Sequence, residues 1–189
     1  MSRIILAALT GAAIFMSTVP ALAEWKSYVS KDLGVSFMAP GEVKASIGTF
    51  RGDVAGPRQT IVFRATEDNI EYRVTVLSFR QAQAHGAILL GEREFMFRQR
   101  NTVLSDTFSN VGTGKDTIYG RKTVIDLAMN KGRSTGAFYF TNGKLYTFEA
   151  TVLPAHGNLT SPDPGRFVDS VKFTGAAPGA IELRAPKVE

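Results

Sequence analysis

The residues that come nearest to a catalytic set lie between positions 132 and 156. Gly132-Arg133-Ser134-Thr135-Gly136 spells the G-x-S-x-G pattern, which in serine hydrolases presents a nucleophile on a sharp strand-to-helix turn. Glu149 and His156 follow in the chain order of a triad's acid and base. That chemistry needs a strand before the serine and a helix after it, so that backbone amides face the oxyanion. Here the turn-forming Asn130-Lys131-Gly132 precedes Ser134, an alternating aromatic run follows it, and the three groups crowd into one hairpin. A hydrolase using Ser134 is therefore only the third-ranked reading.

Other motifs carry less. Gly112-Thr113-Gly114-Lys115 has the composition of a phosphate loop, but Ser109 stands where G-x-x-x-x-G-K needs its first glycine, and Asp116 follows the lysine. It is expected to be a turn. His85 and His156 are the only two histidines, far apart and without an acidic cluster, whereas a histidine-based zinc site needs three or four convergent ligands. There is no cysteine, which removes thiol chemistry and cysteine-based metal sites. Asn158, Asp163 and the carbonyls of residues 154–165 offer oxygen ligands to calcium, but without the spacing of a calcium loop. No cofactor or metal is implied. The segment 154–165 is long for a connection in a compact domain, and such loops tend to be functional. It holds His156, Asn158 and Asp163, with Arg166 at its exit, and these four are the candidate partner-binding residues.

The elements that must position these residues centre on 132–153. Asn142-Gly143 lies between two runs rich in aromatic and β-branched residues and tolerates the positive φ angles of a type I′ turn. A two-residue turn places Phe140 opposite Leu145, Tyr139 opposite Tyr146 and Ala137 opposite Phe148. One face then reads Ala137, Tyr139, Tyr146, Phe148, Ala150, Val152. The other reads Phe138, Phe140, Leu145 and turns polar at Thr147 and Glu149. Apolar residues on both faces predict a central hairpin covered on both sides, with the aromatics as core.

Further strands are expected at 35–38, 58–65, 70–79, 103–111 and 121–129, and residues 47–57, with three glycines and a proline, are expected to be loop. Helical spacing of Ala84, Ile88, Gly91 and Phe95 predicts a helix over 86–100 that turns Glu92, Arg93 and Gln99 to solvent. Ser161-Pro162 opens a second, short helix with Phe167, Val168 and Val171 inward, followed by a last strand at 172–174. The tail 175–189, rich in Gly, Ala and Pro, is expected to be flexible.

Residues 1–23 read as a cleavable signal peptide. Arg3 gives a basic start, 4–16 is largely apolar, Pro20 closes the run, and Ala21-Leu22-Ala23 supplies a small-x-small site with cleavage after Ala23. The run is short of the roughly 20 residues a spanning helix needs, so no stable membrane anchor is expected after cleavage. Residues 24–174 then form one domain, exported to a periplasm. The net charge of +5 is spread over the chain rather than gathered in a stripe, which argues against nucleic acid.

Taken in order, the segments 34–40 (GVSFMAP), 72–79 (YRVTVLSF), a helix, 119–127 (YGRKTVIDL), 138–150 (FYFTNGKLYTFEA) and 166–173 (RFVDSVKF) are familiar. Over roughly residues 33–174 the chain resembles the superfamily of the PsbP extrinsic protein of photosystem II, its bacterial PsbP-like relatives and a eukaryotic Ran-binding homologue. The resemblance implies an α+β fold, an antiparallel β-sheet sandwiched by helices. It also implies a binding or assembly protein without common catalytic residues, so no site residue is carried over. The exported address excludes the Ran-binding role, and nothing points to photosynthesis. The leading expectation is an exported, non-enzymatic periplasmic module that binds a protein or envelope component. The alternative is a small-molecule or metal-ion binder with a pocket at a sheet end.

Overall fold

The computed structural model describes residues 24–54, 56–79, 85–154, 156–173 and 175–187; the expected signal peptide lies outside them. In chain order the elements are β1 (Trp25–Ser30), β2 (Val35–Pro40), β3 (Lys44–Phe50), β4 (Arg58–Glu67), β5 (Ile70–Ser78), α1 (Gly86–Arg98), β6 (Asn101–Val111), β7 (Ile118–Leu127), β8 (Arg133–Thr141), β9 (Lys144–Val152), α2 (Asp163–Asp169) and β10 (Ile181–Glu182). Seven strands form one antiparallel sheet in the order β3-β4-β5-β9-β8-β7-β6, and a second sheet runs β10-β1-β2. The large sheet is two meanders joined where β5 pairs with β9.

The β8–β9 hairpin has the predicted register: Phe140 faces Leu145, Tyr139 faces Tyr146 and Ala137 faces Phe148. Asn142 (φ 50°) and Gly143 (φ 68°) take the two positive φ angles that a type I′ turn requires. The predicted apolar face, Ala137 through Val152, is the middle of the main core. There the rings of Phe37 from β2 and Phe167 from α2 pack edge-on to Phe148, at 6.4 Å each. On the opposite face Phe97 of α1 meets Phe138 at 5.2 Å. The fold is thus α+β, a large antiparallel sheet with a helix packed on each face, and the β1–β2–β10 sheet shares one face with α2.

Four expectations need correction. Residues 47–50 are not loop but the end of β3. Gly48, read as a loop breaker, is a close-approach glycine in a strand, where a Cβ would come 2.9 Å from Thr60 Oγ1 and Val62 Cγ2. The α1 helix is rotated from its predicted face. Ile88 and Phe95 are 56% and 54% exposed, while Leu89, Glu94 and Phe97 are buried. The sheet surface under α1 is rich in charged groups, so burying charged partners competes with burying the apolar stripe. Of the strand expected at 172–174, Lys172 forms a single bridge with Ser36 and Phe173 pairs with no strand, while Thr174 lies outside the described residues. The tail is not without structure. Ile181–Glu182 pairs parallel to β1, the Leu183 amide donates to the Val29 carbonyl (2.7 Å), and Leu183 and Ala185 pack on the core. Backbone groups on an open strand edge accept almost any composition, so Gly, Ala and Pro content did not reveal this pairing.

Candidate functional site

The two glycines of the G-x-S-x-G pattern serve packing. Gly132 has φ 109°, and a Cβ there would run into the Val152 carbonyl. At Gly136 a Cβ would come 2.7 Å from the Phe138 ring and 2.9 Å from that of Phe97, so the glycine lets α1 approach the sheet. Ser134 sits inside β8, opposite Ile125 of β7 and Thr151 of β9, and is fully buried. Its hydroxyl donates to Glu149 Oε1 (2.9 Å) and lies 2.8 Å from Thr151 Oγ1. His156 is exposed and past the end of β9, and the hydrogen-bond partners of the Ser134 hydroxyl are Glu149 and Thr151, not an imidazole. Ser134 therefore does not sit on the strand-to-helix elbow that the pattern requires.

The same pair belongs to a polar layer between α1 and the sheet. Strand registers line up Lys44, Arg64, Arg73, Glu149, Gly136, Thr123 and Asp106 in one row across all seven strands. Glu149 is 2% exposed and accepts from Arg100 Nη1. Burial raises its carboxyl, but the charges of Arg100 and Arg73 and the hydrogen bonds from Arg100 and Ser134 outweigh it and hold the group below the ordinary carboxylate range. From α1, Arg93 Nε donates to Thr147 Oγ1 at 3.1 Å. A second cluster lies toward β6 and β7. Arg121 Nη2 pairs with Asp106 at 2.6 Å, Arg98 Nη1 with Asp106 at 3.1 Å, and Glu94 Oε1 lies 3.4 Å from Arg98 Nε. Burial and the neighbouring Asp106 raise the Glu94 carboxyl. Asp106 is lowered: burial opposes this, and the hydrogen bond and charge of Arg121 overcome it.

The residues of the expected partner loop have these local surroundings. Asn158 Oδ1 accepts from the Thr160 amide (3.0 Å) and hydroxyl (2.7 Å), which folds the loop on itself. Asp163 and Arg166 lie in α2, where Arg166 stacks over Trp25 at 4.2 Å from the ring centroid. His156 remains exposed, with φ 68°.

Among the described residues, no group of three or more His, Cys, Asp or Glu is placed to hold a metal ion. The sequence reading missed two features. Arg93 and Glu94 face inward, for which the β5 alternation Glu71, Arg73, Thr75 was the available signal had its pairing with β9 been known. Phe108 and Tyr119 are 86% and 72% exposed on the outer strands β6 and β7, and both extend from the α1 side of the sheet. The Arg121 guanidinium stacks over the Phe108 ring at 4.5 Å.

No protein-family model matches the chain, and no curated protein matches it. Among solved structures it is similar to cyanobacterial PsbP (CyanoP) from Synechocystis sp. PCC 6803, with a TM-score of 0.51 at 13% identity, over 88% of this chain and 98% of that one. Seven-stranded sheet, flanking helices and this likeness agree: the chain has the PsbP-like fold.

Proposed function

We propose that this is an exported, non-enzymatic binding or assembly module whose partner is a protein or an envelope component. The leader pattern at 1–23 supports export, and the PsbP-like fold supports a binding rather than a chemical role. The observation that carries the reading is the exposed pair Phe108 and Tyr119 beside Arg121, at the free edge strand β6. Exposed aromatics next to an arginine are the side chains that dominate protein interfaces, and an open edge strand adds main-chain donors and acceptors. The 154–165 loop is the rival docking surface. The test is site-specific photocrosslinking in envelope extract from positions 108 and 156, with affinity capture by Phe108→Ser/Tyr119→Ser and by a His156, Asn158, Asp163, Arg166 quadruple alanine variant. The expected result is a discrete adduct from position 108 and loss of the captured partner in the aromatic variant alone. Capture unchanged in the aromatic variant and lost in the quadruple variant would move the site to the loop. Capture unchanged in both, with no adduct at either position, would refute the docking role.

A further inference from the structure

The α1 helix packs on β6, β7, β8 and β9, and so covers one half of its sheet face. Toward β3–β4–β5, Leu90 and Met96 of α1 reach across onto the Phe50–Leu77–Leu145 cluster, and among the described residues a cleft of about 400 Å³ runs along the flank of the helix. Thr60, Arg64, Arg73 and Thr75 lie on the cleft's strands, Arg93 comes from α1, and Arg51 stands at the end of β3. Lys44 faces Arg64 and Arg64 faces Arg73 across neighbouring strands, so three cations share one row. Like charges placed directly opposite oppose folding, and carboxylates answer this row only in part. Glu71 is shared between Arg73 and Arg64, the latter at 3.4 Å, and Glu149 is engaged by Arg100 and Ser134. Glu92, toward the outer end, accepts from the Val54 amide at 2.7 Å. Arg93 makes its hydrogen bond to a neutral hydroxyl, that of Thr147. Burial, together with Arg100 and Arg73 and against the pull of Glu149, lowers the Arg93 guanidinium.

The geometry points to a phosphate-binding site in this cleft, with Arg51, Arg64, Arg73 and Arg93 as the cationic donors. Guanidinium forks match the oxygens of a phosphate two at a time. Four of them with threonine hydroxyls beside them exceed what one carboxylate needs. The cavity is larger than a bare phosphate and falls in the size range of small-ligand pockets. The ligand is therefore a small phosphorylated molecule or the phosphate of a lipid headgroup. This inference is independent of the docking role of Phe108 and Tyr119.

The test uses the purified chain and two probes, inorganic pyrophosphate by calorimetry and phosphatidylglycerol vesicles by flotation, at fixed ionic strength. Variants are Arg93→Gln and Arg51→Gln, with Lys115→Gln as a distant control on an exposed turn. Arg51 is exposed, so its replacement is expected to change stability little, which protects the test if Arg93→Gln misfolds. Wild type should bind pyrophosphate, and each arginine change should weaken it about ten-fold, the usual loss for a charged hydrogen-bond donor. The control should bind as wild type. Vesicle binding that the same variants lose and pyrophosphate displaces assigns the headgroup; pyrophosphate binding without flotation assigns the free phosphorylated molecule. No heat with millimolar pyrophosphate and no flotation by the folded protein would overturn the proposal. So would binding that is unchanged in both arginine variants, or reduced equally by Lys115→Gln.

Discussion

Replacing Glu149 by Gln removes one negative charge from the centre of the α1–sheet layer without changing its shape. The substituted amide retains an oxygen able to accept from Ser134, so the change isolates the charge. Taking one partner from a buried ion pair costs about 3–5 kcal/mol because the other charge is left uncompensated. Two features pull the value to the low end. The Arg100 side chain is 37% exposed and can turn to water, and Arg73 keeps Glu71. An expected loss of about 3 kcal/mol, with a urea slope near 2 kcal/mol/M, lowers the midpoint by about 1.5 M. The pH dependence supplies a second readout. The carboxyl of Glu149 is lowered in the folded state, so its stabilisation is complete above the unfolded value of about 4.3 and is lost as pH falls through the folded one. The gap between wild type and Glu149→Gln should therefore be widest at pH 7 and shrink as pH drops below about 4. Urea unfolding followed by tryptophan fluorescence at pH 7, 5 and 3.5 reads both. A midpoint within about 0.3 M of wild type at pH 7, or a gap that does not shrink in acid, would refute the argument that this carboxylate holds the arginine layer.

Three further outcomes are expected. Leu89→Ala should cost about 2–5 kcal/mol, whereas Phe95→Ser on the exposed side of α1 should stay within about 0.5 kcal/mol, and the reverse order in urea melts would restore the face predicted from periodicity. Gly143→Val forces a β-branched residue to φ 68° and should cost about 1–3 kcal/mol; an unchanged midpoint would mean that the turn does not constrain the hairpin. Deleting residues 181–187 should leave the domain folded but expose the β1 edge, read as faster hydrogen exchange at the strand amides of β1 that face β10. Unaltered exchange there would argue against the parallel pairing.

Local structure was legible in the order of the amino acids. Asn142-Gly143 accepts positive φ at both turn positions, so the hairpin, its register and the inward set from Ala137 to Val152 follow from backbone sterics and period-two alternation. The order of segments also carried the PsbP-like fold. Which strands meet at long range was not legible in this way. Pairing β5 with β9 puts Arg73 against Glu149, and that contact makes a polar layer out of residues whose alternation reads as a solvated face. The same layer rotates α1, because Arg93 finds Thr147 and Glu94 finds Arg121 on the sheet, while Ile88 and Phe95 stay exposed. The partners of the loop residues were legible only in part: Asn158 bonds within its own turn, as its neighbours allow, whereas Arg166 stacks on Trp25, a residue distant in the chain. Phe108 and Tyr119 are aromatic residues in strand-forming runs, and only the tertiary structure shows that both lie at the surface on β6 and β7. Periodicity reports what one element prefers to bury, whereas the partner it meets across the fold settles whether that preference is met.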